Sequence, residues 1–448
     1  MKYPHTAHIL ILGAVLLGAC RPVQTAVPTA VPTITIPTEV PPTSAPPTVT
    51  SAPPTLAPVI TEAPAPKPVE LSGAPLERLA AGTELTLNFI KMQTASNGWA
   101  VGEAQDGSDD RVLKTGTGGA TWREVTPPQP QDSAAEIGQG ATLFTLDEQT
   151  AWVTYYNRTG GPLSNPAFVW RTADGGQTWQ ASAELDTTDL EIYQPSDLIF
   201  VDAQNGWLMA HVGAGMSHDY VAIYRTRDGG LSWERLIDPY MDGESGVLPM
   251  SCEKTGLLFT DVNHGWVTGN CGGVVPGAPY LQRTTDGGQT WQTVELPNPT
   301  SAPELFAQDT NACGLPGIAY LDAQAGFLPM TCLNYDSGQY TSYLYKTGDG
   351  GKTWAVEELP GEYKAAAFLN PESGFVMVAP NPEGPRELYQ TANSAATFTP
   401  TKSLNWTGEF SFVSAQAGWA LATSQEGKAL VQTTNGGQTW QVLTPVIE

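Results

Sequence analysis

The chain has 448 residues, with 21 Lys and Arg against 45 Asp and Glu, a formal charge of −24 at pH 7. That deficit of cations excludes a counterion-releasing grip on nucleic acid and a polybasic attachment to anionic lipid. Only 15% of residues are charged, while Gly numbers 46 and Pro 38, a balance that favours turns and strands over long solvated helices.

In chain order, Met1-Lys2 leads into the uncharged apolar run Ile9 to Ala19. The run is too short to span a bilayer and has the make-up of a secretory signal. It ends in Leu17-Gly18-Ala19-Cys20, which resembles the bacterial lipobox, and that resemblance implies cleavage before Cys20 and lipidation of its sulfur. Acyl chains there would anchor the protein at the membrane. Pro22 to Pro68 then holds 14 prolines among Thr, Ala, Val and Ser, with no Gly. Such a tract buries no core and favours extended polyproline geometry, a spacer lifting whatever follows off the membrane. The expected division is 1–19 signal peptide, 20–70 lipidated cysteine and linker, 71–448 folded domain.

The folded part repeats. Thr172 to Trp179 (TADGGQTW) recurs as Thr226 to Trp233, Thr284 to Trp291 and Thr347 to Trp354. Weaker copies are Thr115 to Trp122, Thr433 to Trp440 and the degenerate Thr391 to Phe398. Before each copy an apolar strand ends in a Gly-aromatic turn, with the aromatic at Trp99, Trp152, Trp207, Trp266, Phe327, Phe375 and Trp419. Both patterns count seven. In the last unit the expected strands are Phe410 to Ser414, Trp419 to Thr423, Ala429 to Thr433 and Thr439 to Thr444. A lone four-stranded unit exposes both faces and two edges, and arranging such units around an axis buries them. The expectation is an all-β, seven-bladed β-propeller with four-stranded blades.

The octapeptide resembles the Asp-box, or BNR, pattern. Paired with the Gly-Trp strands, it most resembles the propeller family of the photosystem II assembly and stability factor. Sialidases, xyloglucan-active glycosidases and the sortilin-type receptor are more distant. The resemblance implies that Asp174, Asp228, Asp286 and Asp349 are structural turn residues away from the active face. The box tryptophans Trp122, Trp179, Trp233, Trp291, Trp354 and Trp440 would then pack between blades. It also implies a family that assists assembly of a membrane complex.

Four cysteines follow Cys20. Cys252 and Cys313 lie five residues before first strands, and Cys271 and Cys332 five residues after the second-strand aromatics. Antiparallel neighbours set one strand's start beside the other's end, so the expected pairs are Cys252–Cys271 and Cys313–Cys332, in keeping with export.

Insertions fall in the second-to-third-strand and blade-to-blade connections of the first five repeats. Variable loops on a rigid frame are where function sits. The candidate binding face carries Tyr155, Tyr156, Tyr193, His218, Asp219, Tyr220, Tyr240, Asp242, Tyr335 and Tyr340. Aromatic and carboxylate side chains there suit a protein partner or a cell-surface glycan. His211, His218 and Asp219 are close enough in sequence for a metal, although loop polar residues of this kind are more often solvated. No Gly-rich phosphate loop, HExxH or GxSxG is present, so no catalytic residue, metal or cofactor is assigned. The 11 arginines include no FRIP-like segment, which argues against a sialidase. The reading is a monomeric, lipid-anchored, extracytoplasmic binding or assembly scaffold; the alternative is a polysaccharide-active hydrolase or glycan-binding propeller.

Overall fold

The computed structural model describes residues 73–448, apart from 105–107, 133, 162–165, 216–217, 238–246 and 272–278. The expected signal peptide, Cys20 and the expected spacer lie outside the described residues. Apart from one short 3-10 turn at Leu305–Ala307, every regular element described is a strand. No helix among the described residues is long and apolar enough to cross a membrane.

The strands form antiparallel meanders in chain order, spanning 86–124, 139–181, 194–235, 253–293, 311–358, 362–404 and 407–443. Within each, strands A to D pair only with their sequence neighbours. The 253–293 and 311–358 meanders merge into one nine-stranded sheet through the pairing of Asn270 with Gly314. Strand A of the 311–358 meander is split into Asn311–Gly314 and Tyr320–Leu321. The break falls at Pro316, which has no N–H to give the ladder, and at Gly317 with φ of 135°. In the last meander strand A is Thr407–Phe412 and strand D Gln441–Leu443. Strand A therefore begins three residues before the expected Phe410, because Thr407, Gly408 and Glu409 continue the register with Thr423, Ala422 and Leu421.

The Gly-Trp pairs explain how neighbouring sheets pack. Trp152 stacks on Phe200 at 3.7 Å and Trp207 on Phe259 at 3.7 Å, each reaching the end of strand A in the next meander. Phe327 on Phe368 and Phe375 on Phe412, both at 3.9 Å, repeat the contact. Glycine before the aromatic makes room: a Cβ on Gly206 would lie 2.5 Å from the ring of Phe200. At Trp152 and Trp207 the indole also reaches the neighbouring turn. Trp152 Nε1 donates to Gly229 O at 2.8 Å, and Trp207 Nε1 to Gly287 O at 3.0 Å.

Those turns are organised by their aspartates. Asp174 Oδ1 accepts from the Thr172 hydroxyl and the Gln177 and Thr178 amides, while Oδ2 accepts from the Thr178 hydroxyl at 2.6 Å. Asp228, Asp286 and Asp349 take the equivalent hydroxyl pairs. The two glycines supply positive φ, 74° at Gly175 and 80° at Gly176.

The first and last meanders meet, closing the ring of a β-propeller. Met92 N donates to Ser411 Oγ at 2.8 Å across the closure. The C-terminal strand Val446–Ile447 lies parallel to Thr121 and Trp122, and Ile447 N donates to Thr83 O. Both ends of the described chain are thus held on the outer edge of the first meander. Disulfides join Cys252 to Cys271 and Cys313 to Cys332, each stapling strand A to strand B at the end away from the Gly-Gly turns.

Candidate functional site

The A–B and C–D turns share one face of the ring, because the end of A and the end of C both pair with the start of B, as Met92 and Thr115 do with Gly98. The B–C and D–A connections open on the opposite face. There a cavity of about 580 Å³ is bounded by Tyr156, Gln194, His211, Asp219 and Glu253, from three adjacent meanders, with Thr142 and Ser196 on inner strands. A second space of about 410 Å³ shares Thr142 and Ser196 and runs along inner strands past Lys91 and Asp197.

Strand alternation decides which tyrosines face this cavity. Tyr155 is 2% and Tyr193 5% exposed, both in the hydrophobic core, with the hydroxyls of Tyr193 and Thr154 3.0 Å apart. They are core residues, which corrects the expectation that they belong to an open face. The next residue along, Tyr156, points to the other side of its sheet and is half-buried in the cavity wall. A Cβ on Gly140 would fall 2.3 Å from its ring, so glycine there permits the ring's position. Burial pushes the Tyr156 hydroxyl up, and nearby Asp110 adds to the shift.

The other wall is a fixed polar constellation. His211 Nδ1 and Asp219 Oδ1 are 2.9 Å apart, and Asp219 Oδ2 accepts from Lys254 N at 2.7 Å. The Lys254 ammonium, itself buried, donates to the carbonyls of Asp219, Met250, Ser251 and Cys252 and lies 5.3 Å above the Tyr280 ring. Cys252–Cys271 ends beside this lysine, so the disulfide braces the wall. Burial alone would lower the His211 pKa, but the Asp219 hydrogen bond and charge, with Asp197 and Glu253, outweigh it and raise the group above its usual 6.5. Burial raises Asp197 in turn. Around the rim Arg158 bridges Glu103 and Asp110, each at 2.7 Å.

Of the expected face residues, the structure brings Tyr156 and Asp219 into this cavity. His218 and Tyr220 sit on the adjoining hairpin with ring centroids 6.2 Å apart. Tyr335 and Tyr340 are 50% and 46% exposed at the tip of the Gly326–Asn334 and Gln339–Thr347 hairpin. Tyr240 and Asp242 lie outside the described residues. His211 and Asp219 pair with each other, and no group of three His, Cys, Asp or Glu that could hold a metal is found among the described residues. Glu253, Asp197, Lys254 and Arg158 carry no local motif; the one signal for Glu253 and Lys254 was their position beside Cys252.

No family model matches the chain. A xyloglucanase of Paenibacillus sp. is 23% identical over 283 residues, 59% of this chain, and the aligned part spans only 24% of that relative's length. Among solved structures, the polysaccharide lyase Uly1 superposes with a TM-score of 0.52 at 10% identity, covering 83% of this chain and 95% of the lyase. YCF48 bound to D1 peptide superposes at 0.49 and 17% identity, covering 84% of this chain and all of that one. The likeness to Uly1 is one of fold.

Proposed function

We propose that the chain is a seven-bladed propeller, lipid-anchored through Cys20 outside the cytoplasmic membrane, that binds a partner at the mouth of its channel without turning it over. The observation that carries this reading is the state of Asp219. Both of its oxygens are engaged from within the fold, by His211 and by the Lys254 amide. A glycosidase carboxyl must exchange a proton with, or attack, its substrate, whereas Asp219 holds a wall in place. Around that wall Tyr156, Gln194 and the exposed Glu253 offer an aromatic surface, an amide and a carboxylate for recognition. The two disulfides support an oxidising compartment, and the lipobox with its Pro/Thr spacer supports display on a stalk.

A second reading, a polysaccharide-active enzyme, is favoured by the likeness to the Paenibacillus xyloglucanase. Incubating the full-length chain with xyloglucan and other plant and bacterial polysaccharides, and measuring new reducing ends, separates the two. Binding without release fits the scaffold. Steady release abolished by Glu253→Gln replaces it with the hydrolase reading. Labelling with a radiolabelled or clickable fatty acid, present in the natural chain and lost in Cys20→Ser, tests the anchor.

A further inference from the structure

Another opening on the loop face, larger than either of the two cavities above, lies between the 362–404 and 407–443 meanders, where the connections are short. It is a groove of about 640 Å³ lined by Glu383, Arg386, Asn405, Trp406, Gln425 and Glu426, among others, within the range of about 300–1,000 Å³ typical of ligand sites. We propose that this groove is a binding site for a neutral glycan, with Trp406 as its stacking platform.

Trp406 is half of the two-residue link between Thr399–Leu404 and Thr407–Phe412, and part of its ring packs against the core clusters of these two meanders. One side of the ring is seated in the fold, edge-on to Trp440 at 5.3 Å and 87° and to Phe410 at 6.2 Å and 66°. The remainder faces the groove, and the residue is half-buried overall. The ring is therefore held in one orientation before any ligand arrives, which lowers the ordering cost of binding.

The opposite wall is also preset. Arg386 Nη1 donates to Gly384 O at 2.7 Å and Pro382 O at 3.3 Å, fixing the 382–386 loop. The third wall is the turn after Gly418–Ser424, where Glu426 N donates to Ser424 Oγ at 3.1 Å. At the base, Thr407 and Thr423 face each other in register. A sugar ring presents an apolar C–H face and a rim of hydroxyls. The first suits an indole, and the second suits the planar amides and carboxylates of Asn405, Gln425, Glu383 and Glu426. The groove's two carboxylates outnumber its one guanidinium, Arg386, and with a chain charge of −24 they select against an acidic polysaccharide.

The site is distinct from the channel mouth and holds whether the protein is a scaffold or an enzyme. Its test is affinity gel electrophoresis of the full chain in soluble xyloglucan, galactomannan or mixed-linkage β-glucan, with polygalacturonate as the acidic control. At least one neutral polysaccharide retards the natural chain. Trp406→Ala weakens that retardation by about tenfold or more, the loss of about 1.4 kcal/mol, and Trp406→Phe largely restores it. Asn405→Ala with Gln425→Ala, both at exposed positions, also weakens binding while the melting temperature holds, which covers the case where Trp406→Ala fails to fold. Equal retardation by polygalacturonate, no retardation by any neutral polysaccharide, or unchanged binding by the Asn405/Gln425 variant overturns the proposal.

Discussion

The indole N–H of Trp419 donates to the carbonyl of Gly118 at 2.8 Å, joining residues 301 apart in the chain. It is the same contact that Trp152 makes to Gly229 and Trp207 to Gly287, here used to close the ring. Trp419 is fully buried, and Gly118 is buried beside it. Trp419→Phe keeps the ring in place, as Phe327 and Phe375 do naturally, but leaves that carbonyl without its donor. The expected cost is about 1–3 kcal/mol, the penalty for an unsatisfied buried group, read as a lower denaturant midpoint with an unchanged slope. Trp419→Ala should cost more, about 3–5 kcal/mol, by opening a cavity.

The turn aspartates predict acid sensitivity. The Thr178 hydroxyl and amide, with Thr172 and Gln177, hold the Asp174 carboxyl down at about 2, below its usual 3.8. Asp349 is held lower still by Thr353, Thr347 and the Lys352 amide. A carboxyl depressed by folding contributes stability above its unfolded pKa, and that contribution is lost as pH falls through the folded value. Unfolding midpoints should therefore drop between about pH 4 and 2. Asp174→Asn, which copies Asn435 in its own turn, should flatten the dependence on acid while retaining the fold.

Reduction should weaken the middle of the ring. Each disulfide spans 19 residues, a loop length worth about 3 kcal/mol in the chain-entropy account. Cys313→Ser with Cys332→Ser should lower the denaturant midpoint accordingly, and a reducing agent should then act only through Cys252–Cys271. The latter change should reach the cavity, since Cys252 O accepts from Lys254 Nζ.

His211 should titrate above an ordinary histidine. Because Asp219, Asp197 and Glu253 raise it against the effect of burial, its contribution to stability is present in full below its unfolded pKa of about 6.5 and is lost as pH rises through the higher folded value. NMR titration should show the His211 resonance displaced upward in pH. Asp219→Asn should return that resonance toward or below 6.5.

Much of this architecture is written in spacing. The Gly-aromatic strands and the Thr-x-Asp-Gly-Gly turns recur because the meanders share one turn and, at four junctions, one ring-on-ring contact. Two equal cysteine offsets give the same strand-to-strand staple. The site was less legible for physical reasons. Tyr155 and Tyr156 read alike in sequence, and only their alternation across a strand buries one and presents the other. The order of the chain gives no sign that Lys254 folds back over four carbonyls, or that Asp197 from the same sheet and Glu253 from the next one converge on His211. Loop length drew attention to the insertions of the earlier repeats, whereas the groove beside Trp406 is built from short turns that happen to stand apart.

The central claim is that the channel mouth is a recognition surface. Its most direct test is affinity capture from membranes of the source organism, comparing the full-length chain with a Tyr156→Ala, Glu253→Ala double variant of matched stability. A specific component retained by the natural chain and lost from the double variant is the predicted result. A captured set that is the same for both proteins, or no component above background for the natural chain, would contradict it.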